Sequence, residues 1–123
     1  MKLKILILIM KIKRVYLKPN KEDGIRILVD RLWPRGLTKE KASIDLWLKN
    51  IAPTTELRKW FDHDPTKWNE FRKKYYLELE NNKEQGLLLK EQIEKGPITL
   101  VYGAKDEEHN EALVIKDFFS KFL

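Results

Sequence analysis

"IRILVDRLWPRG", residues 25–36, decides how this chain folds. A mostly apolar run ends in an acid, and a proline and a glycine then stop it. Such a run bounded by breakers reads as a buried strand of an α/β sheet. A second run of this kind, "ITLVY" at 98–102, follows "GP" and precedes "GAKD". The stretch between them, to Pro97, is helical in pattern and long enough for a right-handed crossover between parallel strands. The order predicts a single α/β domain with a small, mainly parallel central sheet flanked by helices.

Upstream, "KIKRVYLK" (11–18) alternates and predicts a further strand, followed by the breaker-rich loop "PNKEDG" (19–24). That link is short for a parallel neighbour, so the direction of the first strand stays open. Downstream, Ile44, Trp47, Leu48 and Ile51 stand at i, i+3, i+4, i+7 and predict a helix capped by Ser43. Leu57, Trp60 and Phe61 form the apolar side of a short helix after Pro53. Asp64 and Pro65 suit the cap and first position of the next helix, with Trp68, Phe71, Tyr75 and Leu79 as its stripe. Residues 84–95 predict another helix. The last is expected to start near Asp106 and to bury Ala112, Ile115, Phe119 and Phe122.

The 123 residues suffice for one domain with a real core, and 42% hydrophobic with 36% charged residues describe a soluble globular protein. There is no cysteine. This removes disulfides, thiolate catalysis and cysteine-ligated zinc, and it suits a reducing cytoplasm. The apolar segment at 3–10 is too short to span a bilayer, and no small-residue cleavage site follows it, so neither membrane insertion nor export is expected. Residues 1–9 precede a second methionine and read as an N-terminal extension, dispensable for folding, ahead of a domain at 10–123.

The net charge of +6 permits binding to a polyanion without requiring it. Of the 25 basic residues, 19 are lysine and six arginine, so each arginine is the more informative. Its planar fork makes the paired anion contacts that lysine cannot.

Ligands of open parallel sheets sit beyond the carboxyl ends of the strands. If the strands at 25–30 and 98–102 are neighbours, Asp30, Arg31 and Arg35 face Lys105, Asp106, His109 and Asn110 across one crevice. A helix starting at Asp106 would add its free N–H groups to an anion site. Arg31, Arg35 and Lys105 are candidates to clamp the anion, with Asn110 beside them and Asp30 orienting an arginine. Trp33, between the arginines, either stacks on a ligand or guanidinium or plugs the end of the sheet. His63, between two aspartates, and His109, together with Asp106, are the candidates for moving a proton. No metal-ligand spacing is present and no cofactor is called for.

"VDRLWPRG", "WFDHDP" and "AKDEEHN" together closely resemble the YeaO-like branch of the domain-of-unknown-function 488 family, over nearly everything from about Met10 onward. The resemblance implies a small α/β fold with a Rossmann-like layered arrangement, in a cytoplasmic microbial protein. It supplies no reaction. The motifs fall on Asp30, Arg31, Trp33, Pro34, Arg35 and Gly36, then on His63, Asp64 and Pro65, then on Lys105, Asp106, Glu107, His109 and Asn110. The broader family often carries cysteines near its last motif; this chain has none, so a thiol mechanism does not transfer. In the loop after the first strand the family's usual "DPP" is replaced by "LKPN".

Two functional classes follow. One is an enzyme, or a relic of one, that takes a small phosphorylated or carboxylated substrate at these residues. The alternative is a nucleic-acid-binding module or a partner of a DNA-associated regulator, although the basic residues are spread along the chain and no helix-turn-helix pattern stands out. Oligomeric state is not readable from the sequence.

Overall fold

The computed structural model describes residues 2–122. Four strands make one sheet: β1 (Lys11–Arg14), β2 (Ile25–Leu28), β3 (Leu46–Trp47) and β4 (Ile98–Tyr102), in the order β1-β4-β2-β3. Every pairing is parallel. β2 and β4 are neighbours, with Ile25 opposite Ile98 and Leu28 opposite Val101. The first strand is parallel as well. Its link to β2, residues 15–24, passes β4, which lies between them, and has only to run the length of β1 and β2, four residues each or roughly 13 Å. At the start of β2, Gly24 takes a φ of 64° against Pro97; a Cβ there would lie 2.2 Å from the Pro97 carbonyl oxygen.

The helices are α1 (Lys2–Leu8), α2 (Lys39–Ala42), α3 (Thr55–Phe61), α4 (Trp68–Glu80), α5 (Lys83–Lys95) and α6 (Glu111–Phe122). Ile27, Val29, Ile98, Leu100 and Tyr102 form the main core with buried residues of α4, α5 and α6, among them Phe71, Tyr75, Leu89, Ile93, Ile115 and Phe119. The opposite face of the sheet carries a smaller cluster: Val15, Leu28, Ala42 and Val101 under Trp33, Leu37, Ile44 and Trp47. The predicted stripes of α3 and α4 hold, with Thr54 capping α3 through the Leu57 amide, and Asp64 capping the 3-10 turn Pro65–Lys67 that leads into α4. The side chain of Phe122, expected on the inner face of α6, lies outside the described residues.

Three local expectations are corrected. The helix predicted at 44–51 is instead the edge strand β3 followed by a 3-10 turn at Lys49–Ile51. Ser43 does not start a helix but ends α2, in the left-handed conformation with φ 50°. The helical spacing is coincidental: Ile44 and Trp47 pack on one face of the sheet, Leu48 and Ile51 on the other. Finally, the last helix starts at Glu111, and its capping side chain is Asn110, which accepts the Leu113 amide at 3.2 Å. Residues 103–110 form a loop.

Residues 2–8, expected to lie in a dispensable extension, fold as α1, which packs on α5 and α6 with Ile7 fully buried in the main core. A charged group is buried too. Arg26, 3% exposed, is held by Asp23 at 2.7 Å and by the Ser43 and Ala42 carbonyls. Asp23 is also contacted by Lys13 and by the Asn20 amide. This network ties β1, β2 and the end of α2 together beneath the smaller cluster.

Candidate functional site

The chain turns away from the sheet at the end of β2, while the loop after β4 passes alongside. The Asp30 carboxylate closes the gap by accepting the Gly103 amide at 2.8 Å. A Cβ on Gly103 would lie 3.0 Å from that same oxygen, so a larger residue there would press on the contact. Over this junction lies a cavity of about 280 Å³, close to the lower end of the range usual for small-molecule sites.

Its floor carries Asp30, Gly103 and Glu111, all partly buried, with the buried rings of Phe61 and Phe71 beside them. Arg31, Trp33, Pro34, Arg35, Arg58 and His63 line its walls and mouth. Arg31 is fixed by two backbone carbonyls, Pro53 and Ala52, each at 3.1 Å, and not by Asp30. The guanidinium groups of Arg35 and Arg58 have no hydrogen-bond or ion-pair partner among the described residues, and both are exposed. The Trp33 indole N–H donates to the Leu37 carbonyl at 2.8 Å, and its ring meets Trp47 edge-on at 5.5 Å. It thus plugs the end of the sheet while one side borders the cavity.

His109 reaches the cavity from the loop before α6. Its Nδ1 lies 2.8 Å from Asp106, whose carboxylate also accepts the Glu108 and His109 amides. Those hydrogen bonds, the Glu108 amide first and the His109 ring next, hold the Asp106 carboxyl below its usual range. The ring rests edge-on against Trp68 at 5.2 Å, leaving Nε2 as the nitrogen without a partner among the described residues. His63 stands on the rim with φ 54°, directly after Asp62 at φ 45°. Two successive non-glycine residues in the left-handed region are a costly backbone arrangement at the edge of a pocket.

Among the residues singled out from the sequence, Asp30, Arg31, Trp33, Arg35, His63 and His109 therefore share one cavity. Asp106 stands behind His109, outside the lining. Lys105 is exposed and also outside it. Asn110 is buried, with its amide donating to the Asp106 carbonyl at 3.1 Å and its oxygen capping α6. Sequence reasoning did not single out Arg58 or Glu111. The scarcity of arginine could have pointed to the first. Nothing local distinguishes Glu111 from the two glutamates just before it.

Glu111 is the electrostatically unusual group. Burial, then the charge of Asp30 and a hydrogen bond with it, push its carboxyl well above the usual range. Neither carboxyl forms an ion pair among the described residues. Glu111 therefore favours its neutral form more than an ordinary glutamate does. Two groups fit no metal site here: no cluster of three or more His, Asp or Glu positioned for a metal exists among the described residues. No described helix is long and apolar enough to cross a membrane.

A family model described as the inactive DUF488-N3 subclade matches residues 9–123. The uncharacterized protein YeaO of Escherichia coli (strain K12) is 45% identical over 106 residues, covering 86% of this chain and 92% of that protein. The uncharacterized protein Rv3073c of Mycobacterium tuberculosis (strain ATCC 25618 / H37Rv) is 40% identical over 72 residues, 58% of this chain and 61% of that one. No solved structure matches the chain. The chain belongs to the DUF488 family, and within it to the YeaO-like proteins of the subclade described as inactive.

Proposed function

We propose that the cavity at the carboxyl ends of β2 and β4 binds a small organic anion, phosphorylated or carboxylated, in a cytoplasmic protein. The observation that carries this reading is the placement of arginine. Three of the chain's six arginines, Arg31, Arg35 and Arg58, line one cavity, and two of them have no partner among the described residues. Guanidinium forks with free donors suit paired hydrogen bonds to a carboxylate or phosphate. The apolar walls from Trp33, Pro34, Pro53 and Phe61 would accept the body of the ligand and strengthen the charge contacts by excluding water.

The description of the subclade as inactive, together with the absence of cysteine, favours binding over turnover. A second reading, an enzyme using acid–base chemistry, is favoured by one arrangement only. Asp106 fixes the His109 ring by Nδ1 and leaves Nε2 available, which is how a histidine is held when it moves a proton. In that reading His63 would assist from the rim.

The test is a thermal-shift screen of small phosphates and carboxylates with the whole chain. A ligand at about a hundred times its Kd stabilises by roughly 2.7 kcal/mol and raises the melting temperature measurably. Stabilisation that disappears in Arg35→Ala and Arg58→Ala supports the pocket. Stabilisation by duplex DNA alone, falling steeply with salt, would move the protein to the nucleic-acid alternative.

A further inference from the structure

The cavity is lined by both signs of charge, and neither sign is neutralised by the other. The arginines contact backbone carbonyls or nothing, while Asp30 contacts a backbone amide and its neighbour Glu111. Arg14, whose partner lines the cavity, is engaged elsewhere: it donates to the Ala104 carbonyl at 2.9 Å. A pocket that binds only an anion gains nothing from two adjoining carboxyl groups, since any negative charge on them repels the ligand.

We propose that the occupant is bipolar: an anionic group held at Arg31, Arg35 and Arg58, joined by a short linker to an ammonium group held between Asp30 and Glu111. This rests on the anion-binding reading and narrows it to zwitterionic small molecules. Asp30 is pre-set for the role, because the Gly103 amide at 2.8 Å fixes one oxygen. Glu111 enters the same cavity from the first turn of α6.

The arrangement also leads to a proton release. Without a cation, the raised Glu111 carboxyl holds its proton more tightly than an ordinary glutamate does. An ammonium group supplies the missing positive charge and favours the ionised form of Glu111, its proton leaving to solvent. The other ionisable groups around Glu111 are Tyr75 from α4, Tyr102 at the end of β4, Arg31, and His109 with Asp106. The phenols of Tyr75 and Tyr102 are themselves pushed up, first by burial and then by neighbouring carboxylates, and stay neutral.

Calorimetry on the full chain with two matched pairs of probes separates the possibilities: phosphoethanolamine against ethyl phosphate, and β-alanine against propionate. In at least one pair the ammonium-bearing member is expected to bind roughly ten-fold tighter, about one power of ten in Kd. Its heat should vary with the ionisation enthalpy of the buffer, as proton release requires. Both effects should vanish in Glu111→Gln, and in Asp30→Asn, which keeps an oxygen for the Gly103 amide. Equal affinity within both pairs would overturn the bipolar ligand and leave the anion reading standing. An ammonium preference that survives both substitutions would overturn the assignment to this pair. Binding by none of the four probes would overturn both readings.

Discussion

The Asp30 carboxylate and the Gly103 amide, 2.8 Å apart, join the ends of two strands separated by nearly seventy residues of helical crossover. Parallel pairing of β2 with β4 brings the two ends level, and this bond sets the floor of the cavity between them. Several groups around the site follow from that junction. Arg31 and Arg35 follow Asp30 directly, and the loop from Gly103 delivers His109 and Glu111.

Arg35→Lys should weaken binding of a small phosphate or carboxylate while leaving the melting temperature within about a degree, because Arg35 is exposed and its guanidinium has no hydrogen bond or ion pair among the described residues. Arg31→Lys should lower both. Its fork spans the Ala52 and Pro53 carbonyls, and a single ammonium cannot satisfy both in that geometry. About 1–2 kcal/mol of stability should be lost, as expected for buried acceptors deprived of a donor. Denaturant midpoints of the two variants, measured alongside ligand affinity, check the split.

Glu111 makes stability depend on pH in an unusual direction. Its carboxyl is pushed up by burial and by Asp30, so its contribution is complete below the ordinary glutamate range and declines as pH rises toward its folded value. Glu111→Gln should therefore raise the melting temperature at neutral pH and make little difference in acid. Melting curves from pH 4 to 8 would contradict the account if the two proteins ran parallel throughout.

Asp23 works in the opposite sense. Burial pushes its carboxyl up, but the Asn20 amide, Arg26 and Lys13 together hold it below the usual range. Its contribution is present above the ordinary aspartate range and is lost as the solution becomes more acid. Asp23→Asn leaves Arg26 buried without its charge partner, which should cost about 3–5 kcal/mol. Urea denaturation at neutral pH would show this as a lower midpoint with an unchanged slope.

Ile7→Ala tests whether α1 belongs to the folded domain. A fully buried isoleucine in the main core should cost about 2–5 kcal/mol on truncation. An unchanged denaturant midpoint would support the expectation that residues 1–9 are dispensable.

The strands β2 and β4 were legible because continuous apolar runs bounded by proline and glycine leave few alternatives, α3 and α4 because their apolar residues recur at helical spacing, and α5 because its segment stops at Gly96 and Pro97. β3 was not. Two residues of edge strand give no period, and a crossing between the two faces of the sheet at Ile44, Trp47, Leu48 and Ile51 imitates a helical one. The start of α6 was misplaced because Asp106 and Asn110 are both good capping residues. Asp106 caps a turn within the loop instead, accepting the Glu108 amide at 2.9 Å. Of the site, the residues beside the two strand ends were readable because parallel sheets gather ligand groups there. Arg58 comes from α3, and its position depends on how that helix packs, which no local pattern encodes. Glu111 is distinguished from Glu107 and Glu108 only by burial against Asp30.

The most direct test of the central claim is a titration of isotope-labelled protein with ethyl phosphate and with phosphoethanolamine, following backbone amide resonances. The account predicts saturable shifts concentrated at Arg31, Arg35, Arg58, Gly103, Ala104 and His109, the residues that surround one cavity. Shifts that fail to saturate, or that spread over exposed lysines such as Lys39, Lys73 and Lys95 while these six stay still, would contradict it.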